Sequence, residues 1–101
     1  MLRMTRDHAI AILRAHEGEL KAAGVRSLRL FGSVARNEAG PDSDIDLEAA
    51  FEDASNLTLL DLAKLESRLS GLLGRKVELI QQGTFRDGIA ERVESEAVLA
   101  F

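Results

Sequence analysis

The feature that most limits the fold is a leucine stripe caught between two strand-like runs. In NLTLLDLAKLESRLSGLLG, Leu62, Leu65, Leu69 and Leu72 recur at helical spacing and line one face, with Ser55 or Asn56 opening the helix and Gly74 closing it. Residues 45–51 before it and 77–80 (VELI) after it read as short strands, and SLRLF over residues 27–31 alternates as a third. Residues 5–23 carry Ile10, Leu13 and Leu20 on one helical face, with Thr5 as N-cap and Gly24 as terminator. The tail over residues 86–97 also reads as helical, although Gly88 interrupts its start and its apolar stripe is thin. Helices alternating with strands predict an α/β (α+β) domain, a small sheet with helices on one face and the other face free for a site.

Composition narrows the class. The 101 residues suit one domain spanning 1–101, and 46% apolar residues supply a core without cross-links. No cysteine is present, which excludes disulfides and thiolate zinc sites. The start, MLRMTRDHAI, is charged where a secretory signal needs an apolar run, and no later run approaches membrane-spanning length. A cytoplasmic protein with no membrane partner is the expectation. The net charge of -4, without Trp or Tyr, argues against gripping nucleic acid by a basic surface and stacked aromatics. A small molecule or another protein is the expected partner.

The chemistry concentrates in GSVARNEAGPDSDIDL, residues 32–47. Gly32 and Ser33 directly follow a strand. A glycine there allows a sharp turn and the approach of a phosphate, and the serine adds a hydroxyl donor. VARNE can form a short helix whose first amides point back toward Gly32, an arrangement that attracts phosphate oxygens. NEAGPDSD supplies the return turn, with Gly40 and Pro41 as breakers. Asp44 and Asp46 then share one face of a strand, about 6.5 to 7 Å apart along the chain. Ile45 and Leu47 face the helices. Two carboxylates beside a phosphate-binding turn can hold Mg²⁺ against a triphosphate, because the substrate supplies further oxygens. A pair of such ions can stabilise both the attacking and the leaving oxygen of a nucleotidyl transfer.

Gly32-Ser33, ten intervening residues and Asp44-Ile45-Asp46 resemble the signature of the DNA polymerase beta-like nucleotidyltransferase superfamily, and GSVAR with SDIDL is similar to its minimal members, the MNT proteins. The resemblance implies a palm-like α/β fold on a small mixed sheet, with two Mg²⁺ ions and ATP or another nucleoside triphosphate. It also implies transfer of a nucleoside monophosphate to a hydroxyl with release of pyrophosphate. For minimal members it implies an antitoxin paired with a HEPN-type toxin, in some cases by adenylylation of the partner. Asp44 and Asp46 match the paired metal ligands. The third carboxylate, an aspartate in the family, corresponds to Glu78 of KVELI, as ligand or base. Glu48 shares the strand face of the aspartates but has no counterpart in the family pattern. Where the family has glycine after Ala-Arg, this chain has Asn37, the residue that best tolerates a left-handed end to the short helix.

Other residues carry two readings. Arg36 either contacts the triphosphate or pairs with nearby acids. Ser43 caps its turn or touches the nucleotide. His8 and His16, eight apart, fit exposed helix positions rather than a metal motif. Arg75 and Lys76 read as a loop charge pair. At the level of function, an adenylylating antitoxin stands against a non-catalytic module that keeps the fold and silences its partner by covering it. Transfer to a small molecule is a third reading, disfavoured by the lack of room for an acceptor-binding domain. With no tyrosine in the chain, a tyrosine acceptor has to lie on the partner.

Overall fold

The structure, a computed structural model, describes residues 4–84 and 88–101. In chain order the elements are α1 (Arg6–Ala15), α2 (Glu17–Ala22), β1 (Val25–Phe31), α3 (Gly32–Ala35), β2 (Ile45–Phe51), a 3-10 turn (Ala54–Asn56), α4 (Leu59–Leu73), β3 (Val77–Gln81), α5 (Ile89–Glu96) and β4 (Val98–Leu99). The four strands form one mixed sheet in the order β3-β2-β1-β4. β1 runs antiparallel to β2 and β4, whereas β2 and β3 are parallel. The parallel pair requires a crossover, and α4 with its leucine stripe provides it.

Alternation along the strands sorts the side chains. Leu28 and Leu30 of β1 and Ile45, Leu47, Ala49 and Phe51 of β2 are buried against Ala9, Leu13, Leu20, Leu65, Leu69 and Leu73 of the helices. The opposite face receives Arg29 and Phe31 of β1 and Asp46 and Glu48 of β2, which pair across the strands as Arg29 with Glu48 and Phe31 with Asp46. That face is not wholly free, which corrects the expectation that helices cover one side only. α5 stands over part of it, with Val93 buried and Glu94 bonded to Arg29. No described helix is long and apolar enough to cross a membrane.

The element boundaries have local causes. The helix expected over residues 5–23 is broken at His16, whose backbone (φ -109°, ψ 14°) leaves the helical range while its ring Nδ1 contacts the Ile12 carbonyl at 2.9 Å. Thr5 caps α1 as expected, accepting from His8 N. α4 starts at Thr58 rather than at Ser55 or Asn56. Thr58 and Asp61 form a reciprocal capping box, while Ser55 and Asn56 both donate to Asp53. Gly74 closes α4 in the left-handed conformation, as the sequence predicts. Arg86 and Asp87, at the expected start of the last helix, lie outside the described residues. β4 was not anticipated, being only two residues long.

β3 is an edge strand, and α4 covers its outer backbone. Ser70 Oγ accepts from Val77 N at 3.0 Å and Glu66 Oε2 accepts from Leu79 N at 3.0 Å. These outward amides are therefore satisfied within the chain instead of presenting a template for another strand.

Candidate active site

The turn after β1 brings the predicted residues together. Gly32 has φ +76°, and a Cβ on it would fall 2.2 Å from Asp46 Oδ2. The residue must be glycine for two independent reasons, its backbone conformation and the carboxylate lying against its Cα. α3 runs from Gly32 to Ala35, and Asn37 follows at φ 57°, the left-handed position at which the sequence substitutes Asn for Gly. The Asn37 side chain also accepts from Arg6 N at 2.9 Å, tying the turn to α1.

Asp46 and Glu78 are register partners in the parallel β2–β3 pair. Their proximity is felt electrostatically: the Asp46 carboxyl is pushed up to about 6, first by burial, then by the adjacent Glu78 carboxylate and by Asp44, with Arg36 opposing the shift. Asp44 precedes β2, and its carboxylate lies 4.0 Å from Lys76 Nζ. Glu48, the competing candidate, is only 4% exposed and is held by Arg29, which places it in a structural ion pair away from the site.

The remaining site residues divide. Ser33 lines the same cavity as Gly32 and Asp46. Arg36 pairs with nearby acids, Glu38 at 3.0 Å and Glu96 at 2.9 Å, while bordering this cavity. Ser43 braces its own loop, its Oγ accepting from Gly40 N at 2.9 Å. Arg75 braces that loop through the carbonyls of Pro41 at 2.7 Å and Gly40 at 3.3 Å. The sequence gives no signal for this bracing, since Arg75 and the turn are far apart along the chain.

The cavity itself, about 360 Å³, has the Gly32–Ser33 turn, Arg36 and Asp46 on one side and α5 on the other. A larger depression of about 480 Å³ lies at the far end of β2 against α2 and α4. Three of its four acids are already engaged, Glu19 by Arg68, Asp53 by Ser55 and Asn56, and Asp61 by Thr58, the fourth being Glu52. Of the three predicted acids, Asp46 lines the smaller cavity.

The donor set suits a hard divalent cation in one specific way. Among the described residues no three His, Cys, Asp or Glu side chains are grouped to hold a metal unaided, so the expected trio of Asp44, Asp46 and Glu78 is not a preformed cage. The pair formed by Asp46 and Glu78 does fit Mg²⁺, which commonly takes one or two carboxylates and completes its shell with water and phosphate oxygens.

A glycine turn packed on a strand aspartate, with a second acid in register, is the arrangement of a nucleotidyltransferase. The chain belongs to that family: the nucleotidyltransferase domain model matches residues 13–100. Its whole length is similar to the protein adenylyltransferase MntA of Thermococcus cleftensis, 39% identical over 99 residues, 97% of this chain and 98% of the relative. A solved structure described as a minimal nucleotidyltransferase superposes with TM-score 0.78 at 38% identity, covering 97% of this chain and 98% of the other. The fold is also that of a complex between a tri-AMPylated HEPN toxin of Shewanella oneidensis and an MNT antitoxin. There the TM-score is 0.66 at 17% identity, over 91% of this chain and 71% of the other.

Proposed function

We propose that this chain is a Mg²⁺-dependent protein adenylyltransferase that moves AMP from ATP to a hydroxyl of a partner protein, and that the partner is a HEPN-type toxin which the modification silences. The observation that carries the reading is the pairing of Asp46 with Glu78 against the bare Cα of Gly32. The name of the MntA relative, similar from end to end, supports the protein acceptor. The HEPN–MNT complex supports the partner class through shared fold alone.

In this reading Gly32 and Ser33 seat the triphosphate, the glycine by leaving room and the serine by its hydroxyl. Asp44, Asp46 and Glu78 hold divalent metal together with phosphate oxygens, the first two as the paired ligands. Divalent metal held there would supply charge neutralisation to the transferring phosphoryl group. The acceptor hydroxyl oxygen forms a bond to the α-phosphorus as the bond from that phosphorus to the bridging oxygen of the β-phosphate breaks. Pyrophosphate leaves with the electron pair, and Glu78 takes the hydroxyl proton. Arg36 stands on the same cavity wall and remains paired with Glu38 and Glu96. A tyrosine acceptor would have to lie on another chain, as this one has no tyrosine.

A second reading, a module that neutralises its partner by covering it, draws on the lack of a preformed three-acid cluster among the described residues. One experiment separates the two. The chain is incubated with Mg-ATP and a HEPN-type toxin, and the toxin's intact mass is measured. A gain of adenylyl groups that disappears with Asp44→Ala and Asp46→Ala supports the transferase. Inhibition that survives both substitutions without a mass change supports the covering module and sinks the first reading.

A further inference from the structure

Three arginines lie on the open side of the sheet, of which only Arg36 and Arg92 line the cavity, and two of the three are already neutralised. Arg29 is bonded to Glu48 and Glu94, and Arg36 to Glu38 and Glu96. The third, Arg92 on α5, lines the cavity opposite the Gly32–Ser33 turn and makes no ion pair with any described residue. Its backbone carbonyl accepts from Ser95 Oγ at 2.9 Å. Its placement is not accidental to a loose helix. Val93 is buried at 3% exposure, Glu94 is anchored on Arg29 and Glu96 on Arg36, so α5 cannot turn Arg92 away from the cavity without losing all three.

The site as it stands gathers negative charge around Asp46, Glu78 and Asp44. A nucleoside triphosphate adds more than metal ions shared with those carboxylates can balance. An unpaired guanidinium facing the phosphate-seating turn answers that need, because its planar fork can donate two parallel hydrogen bonds to phosphate oxygens. We infer that Arg92 is a substrate-binding residue that grips the β- and γ-phosphates from the α5 side of the cavity and stays with the pyrophosphate as it leaves. The inference rests on the nucleotidyltransferase reading and adds to it a residue outside the Gly-Ser and Asp-Ile-Asp segments.

The test is calorimetric titration of Mg-ATP and of Mg-pyrophosphate into the wild-type chain, Arg92→Ala and Arg92→Lys, with the urea midpoint of each. Expected are a loss of tenfold or more in affinity for both ligands in Arg92→Ala, partial recovery in Arg92→Lys, and unchanged midpoints, since the side chain is exposed. Wild-type affinity in Arg92→Ala overturns the inference and leaves the transferase reading standing. A loss matched by a fallen midpoint, or one that Lys does not relieve, assigns the residue to structure and also overturns it. Failure of the wild-type chain to bind either ligand removes the transferase reading and this inference together.

Discussion

The carboxylate of Asp46 rests on the bare Cα of Gly32, so close that a Cβ there would lie 2.2 Å from Oδ2. Gly74 offers the matched control, with a similar positive φ of 68° and no atom within 4 Å of its would-be Cβ. Gly74→Ala should cost about 1 kcal/mol of unfolding free energy from backbone strain alone and leave adenylyl transfer intact. Gly32→Ala carries the same strain and also displaces Asp46, so transfer should be lost. Urea denaturation beside an intact-mass assay checks both, and an active Gly32→Ala would break the link between turn and carboxylate.

The raised Asp46 carboxyl sets a pH dependence whose sign can be stated. Its folded value of about 6 lies above the ordinary 3.8, so the unfolded chain ionises first as pH rises. The contribution to stability is fully present below 3.8 and is lost as pH climbs through about 6. Asp46→Asn removes the titration. Without added metal, the variant should match the wild type near pH 3.8, exceed it in melting temperature above pH 6, and show the gap opening between those values. Equal melting temperatures across that window would refute the buried, repelled carboxylate.

Burial makes the Arg29–Glu48 pair asymmetric. Side-chain exposure is 21% for Arg29 and 5% for Glu48. Arg29→Ala leaves a buried carboxylate without its partner and should destabilise the chain by about 3 kcal/mol. Glu48→Gln keeps an acceptor for the guanidinium and should cost distinctly less. Glu94 is surface-exposed, so its replacement by Ala should barely move the unfolding midpoint while loosening α5, seen as faster amide exchange there.

At the outer edge of the sheet, Ser70→Ala strands the Val77 amide that its hydroxyl now accepts. The expected loss is about 1 kcal/mol, with hydrogen exchange quickening at Val77 and not at Leu79, whose amide is held by Glu66. Replacing Glu66 and Ser70 together should expose both amides and raise concentration-dependent self-association, measured by light scattering.

What the sequence makes legible is local chemistry. Gly32, Ser33 and the period-two spacing of Asp44 and Asp46 can be read within one segment because a turn and a strand declare themselves over a few residues. Asn37 is legible for the same reason, a left-handed position being a property of single residues. Glu78 is legible only through family resemblance, since its place beside Asp46 depends on the parallel register of β2 with β3. The break at His16 escapes pattern reading, because the apolar stripe continues through it while the imidazole competes for a helix carbonyl. The true cap at Thr58 was hidden by a better-looking Ser-Asn pair that folds back onto Asp53. Arg92 and the position of α5 were invisible, as nothing in a thin amphipathic stripe says which sheet face it will meet.

The crossover through α4 gives the acid pair a mechanical dependence. Asp46 sits on an inner strand and Glu78 on the outermost one, so the two meet only while β3 stays docked. Peeling that strand away separates the acids yet leaves β1, β2 and the glycine contact in place. If the outer strand opens more readily than the sheet as a whole, the acid pair would part before β1 and β2 unfold, an order that amide exchange would read.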